Sequence, residues 1–513
     1  MSLVVLKELS HQNGGKILYK NSNMRINRGE HVALLGPNGS GKTTLLNIIS
    51  QKITPDDGDV VWHPKARIGY LDQHQDVDLT LTTEQYLKDA FKELYEIEAK
   101  IHKIYEDMAI EYSEDELVKA LELQNKLDHS NFSSIDKVIG NLIFGLGIDS
   151  ELINRELGSL SGGQRGKIIL AKLLLKNDDF ILLDEPTNFL DVEQVNWLIG
   201  FLQSYENAFL VVSHDKDFVN KIVNIIYSIE NRELVRYVGN YDKYLELSSQ
   251  RAGQHDKAIE SQQKQISKLK EYISKNAARA STARSAQSRQ KQLSKMEIID
   301  KRQAITKPKM KFKYKRPSCS VILRAKDLQV GYTNSLIGPL NFDLKEGEKC
   351  IVKGYNGIGK TTFLKTIANE ISTFSGESDI GEGVEINFFH QNTEIEDNET
   401  PVTYLMRRHP KMLEGEVRAT IGKFGVKGEL MQNKMKSLSG GEQTKVRLAS
   451  LSLKPSSLLI LDEPTNHIDV MAKDSLLDAI QQYEGAVLIT THDINFETKW
   501  ADKILNFEEL TTK

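Results

Sequence analysis

The sequence predicts an α/β protein of two similar domains, each a largely parallel sheet covered by helices. Three observations carry this prediction. A set of short motifs is written twice along the 513 residues. Around each copy, apolar runs of strand length alternate with helical patterns, as in a sheet wound with helices. The two copies also differ in one spacing, so one domain holds a segment that the other lacks.

Gly36-Pro-Asn38-Gly39-Ser-Gly41-Lys42-Thr43-Thr44 returns 318 positions later as Gly354-Tyr-Asn356-Gly357-Ile-Gly359-Lys360-Thr361-Thr362. Gln73 returns as Gln391 at the same offset. Ser161-Gly162-Gly163-Gln164 returns as Ser439-Gly440-Gly441-Glu442, now 278 positions later, and Asp184, Glu185 and His214 return as Asp462, Glu463 and His492 at that second offset. The first copy therefore carries 40 extra residues between Gln73 and Ser161. The expected organisation is a first domain over 1–240 with an inserted arm at about 84–130, a linker over 241–318, and a second domain over 319–513.

Each glycine-rich loop follows a strand-like run, Val32-Ala-Leu-Leu35 or Cys350-Ile-Val352, and opens a helix at Lys42 or Lys360. That is the context a phosphate-binding loop needs. Its glycines let backbone N–H groups wrap phosphates, and the helix N-terminus adds a favourable potential. Lys42 and Lys360 are placed to neutralise β- and γ-phosphates, and the Thr43 and Thr361 hydroxyls to ligate Mg²⁺. Asp184 and Asp462 end apolar strands, where a further metal contact is needed, and Glu185 and Glu463 follow them, placed to polarise an attacking water.

The inserted arm reads as a helical hairpin. Leu87, Leu94, Ile101 and Met108 recur every seven residues, with Ala90, Ile97 and Ile104 between them, giving an apolar seam. Ser113 and Glu116 make a capping box that restarts a second helix, whose seam is expected to use Leu117, Leu121 and Leu127. Residues 84–129 carry 13 Asp and Glu against 6 Lys and Arg. The arm is therefore expected to meet a basic protein surface, or little at all, and not RNA.

The linker has the opposite charge. Net charge is −4, yet Arg251 to Arg316 holds 19 Lys and Arg against 5 Asp and Glu, leaving the rest of the chain strongly acidic. A local basic block of this kind points to a polyanionic partner for that segment. Ile259, Ile266, Leu269 and Ile273 mark one helix, and Leu293, Met296 and Ile299 a second, after a break near Ala277 to Ser281. Lys275, Arg279, Arg284, Arg289, Lys291 and Lys295 crowd the turn of this hairpin and are the expected contacts to that polyanion. Lys307 to Pro317 follows as an extended basic strap with aromatics inside it.

Composition excludes several classes. Apolar content of 39% and charged content of 27% fit a globular chain. No apolar run approaches a transmembrane helix, and the first residues lack the layout of a signal peptide. Two cysteines, Cys319 and Cys350, make neither a disulfide framework nor a zinc site, so a cytoplasmic location is expected.

Leu160-Ser-Gly-Gly-Gln164 and Leu438-Ser-Gly-Gly-Glu442 upstream of hydrophobic Asp-Glu pairs, with Gln73, Gln391, His214 and His492, resemble the ATP-binding cassette family. The resemblance covers nearly the whole chain outside the two helical segments. It implies two P-loop ATP-binding cassette domains packed head to tail within a monomer, with ATP and Mg²⁺ between them. Ser161, Gly162 and Gly163 would cap the ATP held by Lys360, and Ser439, Gly440 and Gly441 the ATP held by Lys42. Gln73 and Gln391 would join the Mg²⁺ ligands, and His214 and His492 would meet the γ-phosphate. An aromatic normally stacks on adenine ahead of the loop. Tyr332 fits that place in the second copy, whereas the first has Gly14 there and His11 nearby. Both sites keep Lys, Asp, Glu and His, so both are expected to hydrolyse ATP.

Two cassettes on one chain, a two-helix basic linker between them, and the continuations Pro186-Thr-Asn-Phe-Leu-Asp191 and Pro464-Thr-Asn-His-Ile-Asp469 resemble the ABC-F family. That resemblance implies a translation factor on the ribosomal E site, its linker directed along rRNA toward P-site tRNA and the peptidyl transferase centre. Antibiotic-resistance ribosome protection is a variant of the same reading, which the short linker turn disfavours. The ATPase subunit of a membrane transporter is an alternative of another class. The basic linker and the arm argue against it, and against a DNA-repair ATPase argues the lack of zinc cysteines.

Overall fold

A computed structural model describes residues 2–510 except 15, 38, 72–76, 111, 131, 277–282, 295, 297–306, 333, 356, 391–394, 397, 467 and 492–499. In the first domain the strands are β1 Ser2–Asn13, β2 Lys16–Asn27, β3 His31–Leu35, β4 Asp57–Trp62, β5 Ile68–Leu71, β6 Phe180–Asp184, β7 Ala208–Val212, β8 Ile225–Glu230 and β9 Glu233–Val238. Its helices are α1 Lys42–Ile49, α2 Thr83–Lys88, α3 Lys92–Ile110, α4 Glu114–His129, α5 Ile135–Gly145, α6 Gly162–Leu175, α7 Val192–Gln203 and α8 Lys216–Ile222. A central sheet runs β5-β6-β7-β3-β8-β9, parallel except for the β8–β9 hairpin, and an antiparallel sheet β2-β1-β4 lies over it.

The central strands form because both of their faces are covered. In β6, Phe180 and Leu182 face the antiparallel sheet and α1, whereas Ile181 and Leu183 face α5, α6 and α7. Each such side chain, fully buried, contributes about 1.5–3 kcal/mol. The strand ends where Asp184 must meet polar partners, at the same edge as the loop between β3 and α1.

The second domain repeats this plan. Its strands are β10 Val321–Gly331, β11 Ser335–Lys345, β12 Lys349–Lys353, β13 Ser375–Ile380, β14 Ile386–Phe389, β15 Leu458–Asp462, β16 Ala486–Thr490 and β17 Lys503–Asn506. The parallel sheet runs β14-β15-β16-β12-β17 beside an antiparallel β11-β10-β13. Between the domains lie α9 Tyr241–Asn276 and α10 Ala283–Ser294, and the second domain's helices are α11 Lys360–Ile367, α12 Pro401–Arg408, α13 Glu414–Lys423, α14 Gly440–Leu453 and α15 Val470–Gln481. Among the described residues no helix is long and apolar enough to cross a membrane.

Three expectations need correction. The arm does not begin at residue 84. Thr82 caps α2, whose Tyr86 and Leu87 are buried in the first domain's core, and Asp89 is tied to Lys172 of α6 at 2.7 Å. The projecting hairpin is therefore α3 and α4. Along it Ile101, Ala120 and Leu127 are buried, whereas Leu121 is half exposed. Small Ala120 lets the helices approach, and Leu121, one position on, is rotated outward.

The strap is the third. Its charge and prolines make it look like the end of the linker, but Met310 and Phe312 are buried in the core of the second domain. Phe312 packs edge-on against Phe424 and Tyr483. Its backbone behaves as an added strand: Lys309 N donates to Lys423 O at 2.8 Å, Lys315 N to Ser456 O at 2.9 Å, and Ser456 N to Lys313 O at 3.1 Å. The second domain's packing thus extends back to the strap, ahead of residue 319.

Candidate active site

The two phosphate loops are built alike. Gly41 at φ 100° and Gly359 at φ 110° precede α1 and α11 in the left-handed region, where a side chain would be strained. Neither helix start receives a side-chain cap, so the first N–H groups point into the loop. Lys42 Nζ donates to Gly36 O at 2.9 Å and Pro37 O at 3.2 Å; Lys360 Nζ donates to Gly354 O at 2.6 Å and Tyr355 O at 3.3 Å. Each lysine is thereby folded over the loop it serves, with Gly39 and Gly357 at positive φ on the rim. Burial pulls both ammonium groups down in pKa, opposed in each by the neighbouring Glu and Asp.

The carboxylate pairs sit at the strand ends. Thr43 Oγ1 donates to Asp184 Oδ2 at 2.9 Å, so a hydroxyl and a carboxylate oxygen stand side by side. Two hard oxygens, with room for phosphate oxygens and water, suit Mg²⁺, which keeps most of its shell from such ligands. In the second domain Asp462 accepts from Thr490 Oγ1 at 2.8 Å instead, and Thr361 lines the adjoining cleft.

Glu185 at φ 50° and Glu463 at φ 49° both occupy the left-handed region. For a glutamate this is strained, and the same strain in both copies marks a position held for its side chain. Glu185 N is fastened to Val212 O at 2.8 Å, and Glu463 N to Thr490 Oγ1 at 3.0 Å. His214 N donates to Glu185 Oε2 at 3.2 Å, and the imidazole Nε2 lies 3.5 Å from Oε1. Burial, and then Asp184, push the Glu185 carboxyl well above the usual range, against the pull of Lys42, the His214 N–H and Lys473.

Burial, Lys42 and Lys473 hold His214 down at about 3. The folded protein thus refuses a proton that the unfolded chain accepts near pH 6.5, so this contribution to stability is intact above pH 6.5 and is lost as pH falls toward 3. Relative to His214→Gln, the nucleotide-free protein is expected to lose about 2 kcal/mol between about pH 7.5 and about pH 5. Urea unfolding of both proteins at the two pH values measures this, and an unchanged difference would refute it.

The signature turns begin helices. Ser161 Oγ accepts from Gln164 N at 3.2 Å, and Gln164 Oε1 accepts from Ser161 N at 3.0 Å. Ser439 and Glu442 make the same reciprocal pair at 3.4 and 3.0 Å. Gln and Glu are therefore equivalent here, which removes the one difference between the two signatures. A Cβ on Gly162 would touch nothing within 4 Å and one on Gly163 only Phe189, so packing does not demand glycine. The space is left toward the opposite domain.

There the two domains meet. One cleft of about 1210 Å³ is walled by Ser161, Gly162 and Gly163 from the first domain and by Gly357, Gly359, Lys360, Thr361, Thr362, Asp462 and Glu463 from the second. Glu185 and His214 line its far end together with Lys473. At the other loop, Asp469 and Lys445, the latter on the helix begun by Ser439, act on the charge of Lys42, as Asp191 acts on that of Lys360.

Sequence reasoning misses these crossing aspartates, Asp191 and Asp469, as site residues. It also misses Tyr19, whose hydroxyl donates to Gly41 O at 2.5 Å. The repeated Asn-Phe-Leu-Asp191 and Asn-His-Ile-Asp469 is the available signal for the first two; Tyr19 has none, since Ile337 stands at its place in the second copy. Tyr332 lies at the β10–β11 turn, 65% exposed and outside the walls of the cleft, to which the same hairpin contributes Leu336. Gly36, Gly354 and Thr44 lie on the loops and helix start, and Gly440 and Gly441 open α14. Asn38, Gln73, Asn356, Gln391, His492, Arg279 and Lys295 lie outside the described residues. Of the linker cations, Arg284 and Lys291 are exposed, Lys275 pairs with Glu271 at 2.7 Å, and Arg289 stacks on Tyr272 at 4.0 Å.

Comparison with known proteins agrees with this geometry. The family described as ABC transporter matches residues 19–188 and 337–466, and an extension of the same description matches 227–312. The chain is 40% identical over 517 aligned residues to an uncharacterized ABC transporter ATP-binding protein, YfmM, of Bacillus subtilis (strain 168), covering 100% of both. It is 32% identical to ABC transporter F family member 5 of Arabidopsis thaliana, over 99% of this chain and 76% of that one. Its fold is similar to the archaeal ribosome recycling factor aABCE1, solved in complex with the archaeal ribosomal stalk protein aP1, with a TM-score of 0.58 at 18% identity over 97% of this chain and 87% of that one. Paired phosphate loops, a signature turn facing one of them across the domain interface and relatives matched over nearly the whole of this chain lead to one conclusion: the chain belongs to the ABC-F family of tandem ATP-binding cassette ATPases.

Proposed function

We propose that this ATPase binds the ribosome at the E site in its ATP-closed form, directs the linker hairpin along rRNA toward P-site tRNA and the peptidyl transferase centre, and so modulates translation in the cytoplasm. The observation that carries the reading is the basic hairpin placed between two cassettes. Arg284 and Lys291 on α10, with Lys275, Arg279, Arg289 and Lys295 around the turn, offer phosphate contacts that need no base sequence. The acidic arm is assigned to a basic large-subunit protein. The cassettes span 1–240 and 319–513, with the strap added to the second, and they pair within one monomer.

Chemically, each lysine, Lys42 or Lys360, leaves its loop carbonyls to neutralise phosphate, while the amides of Gly39, Gly41, Thr43 and Thr44, or Gly357, Gly359, Thr361 and Thr362, cradle it. Thr43 with Asp184, and Thr361 with Asp462, joined by Gln73 and Gln391, would hold Mg²⁺, which supplies charge neutralisation at the phosphates. Ser161 to Gly163 and Ser439 to Gly441 close over the nucleotide held by the other cassette, with Tyr332 beside adenine in the second site. Glu185 and Glu463 orient the attacking water and receive its proton, at Glu185 on a carboxylate oxygen whose proton affinity burial has raised. His214, neutral and bonded to Glu185, fixes that carboxylate, and His492 takes the same place in the other site.

The test is a sucrose gradient of cells expressing the Glu185→Gln/Glu463→Gln protein. Accumulation on ribosomes with arrested growth is expected, and a protein found wholly off ribosomes, or on membranes, would overturn the reading.

A further inference from the structure

The strap has a second consequence. Because Met310 and Phe312 point into the second cassette, the residues between and beside them, Lys309, Lys311 and Lys313, point out, and all three are exposed. Alternate residues of an extended chain are about 6.6 Å apart, which is of the order of the step between successive phosphates of a nucleic-acid strand. The flanking cations are used up internally: Lys307 pairs with Asp478 at 2.6 Å and Lys315 with Glu385 at 3.1 Å. Among the described residues, Lys309, Lys311 and Lys313 make no ion pair.

The ladder lies in a wider positive strip. Lys309 is hydrogen-bonded through its backbone to Lys423, the exposed last residue of α13. At the other end, the charges of Arg408, Lys313 and Lys454 all act on His409, which is half buried against Ser450. Arg408 is fixed over the Tyr404 ring at 3.8 Å and Lys454 is held to Ile386 O at 3.2 Å, so this end of the strip is ordered before any partner arrives.

We propose that Lys309, Lys311 and Lys313, with Lys423, Arg408 and Lys454 beside them, form a second RNA-docking surface on the second cassette, one that reads backbone phosphates and not base sequence. This deepens the ribosome reading above and rests on it. An acidic peptide would not need the even spacing, and exposed apolar side chains that a membrane would require do not alternate with these lysines. Regularly stepped point charges, with the intervening side chains buried, fit a phosphodiester strand best. The site also accounts for the lysines recurring at alternate positions from Lys309 to Lys313.

The test compares the full chain with Lys309→Gln/Lys311→Gln/Lys313→Gln for binding to a labelled RNA hairpin of about sixteen base pairs across a salt series. With three phosphates no longer neutralised, the slope of log affinity against log salt is expected to fall by about 2 to 3, and binding at low salt to weaken about tenfold or more. Basal ATP turnover stays unchanged, since none of the three touches either nucleotide site. An unaltered slope and affinity would overturn the proposal. Run beside it, Lys275→Gln/Arg284→Gln/Arg289→Gln/Lys291→Gln tests the linker. If only the linker variant loses binding, the strap surface is overturned and the ribosome reading stands; if the unmodified chain binds no RNA, both fall. A polyglutamate peptide that displaces the hairpin from the full chain but not from the strap variant would also overturn it, by assigning the surface to protein.

Discussion

Glu185→Gln and Glu463→Gln together are expected to lower steady-state ATP turnover by at least about a hundredfold while leaving nucleotide binding intact. Glutamine preserves the shape, so the strained backbone and the bonds from Glu185 N to Val212 and from Glu463 N to Thr490 have no reason to change. What is lost is the carboxylate that the proposed mechanism assigns to take a proton from water. The single variants are the sharper experiment. Lys42 lies within the field of Asp469, and Lys360 within that of Asp191. With each site completed by the other cassette, as proposed above, one site that cannot hydrolyse should hold both closed. Either single replacement should remove much more than half of the turnover. Phosphate release gives the rate and rapid filtration the retained nucleotide. A single variant keeping half the rate would mean that the sites fire separately, and a double variant within twofold of the parent would remove both glutamates from the chemistry.

Phe312→Ala is expected to be the most damaging change in the linker region, costing about 3–5 kcal/mol. Phe312 is 4% exposed, and its ring is met edge-on by Phe424 and Tyr483. Truncation opens a cavity between the strap, α13 and the end of α15, none of which can move in to fill it without breaking the strap's strand-like bonds. Unfolding of the second cassette should fall by roughly 10 °C. Lys311→Ala, one residue away and solvated, should change stability by less than about 0.5 kcal/mol. Calorimetry on the two variants separates them, and equal melting points would mean that the strap is not anchored through Phe312.

Much of the architecture is legible in the sequence because it is written twice. The change of offset from 318 to 278 locates the insertion without any structural information. The resemblance to the ATP-binding cassette family, carried by the same motifs, implies Ser161 to Gly163 opposite Lys360, and one cleft contains both. The errors come where local pattern and packing compete. Leu121 fits a heptad better than Ala120, yet helix approach selects the smaller side chain. Lys307 to Pro317 looks like a solvated tail because every second residue is charged, but alternation is also how a half-buried strand is written. Glu84 to Asp89 has the composition of the arm and is held in the core by Tyr86 and Leu87. Charges that act across the interface, such as Asp191 on Lys360, are invisible to any reading that treats each copy alone.

The linker is also a lever. The long helix α9 is rooted in the first cassette, where Tyr241, Tyr244 and Leu247 pack against its core, whereas the returning chain is pinned to the second cassette by Met310 and Phe312. The hairpin thus stands with one foot on each moving body. Its 36-residue helix is about 54 Å long at 1.5 Å per residue. Over that length, a hinge rotation of about 6° at the base carries the far end through about 5 Å, roughly one helical turn. On the proposed reading, a closure of a few degrees around two nucleotides would be converted, by leverage alone, into a stroke the size of a nucleotide step.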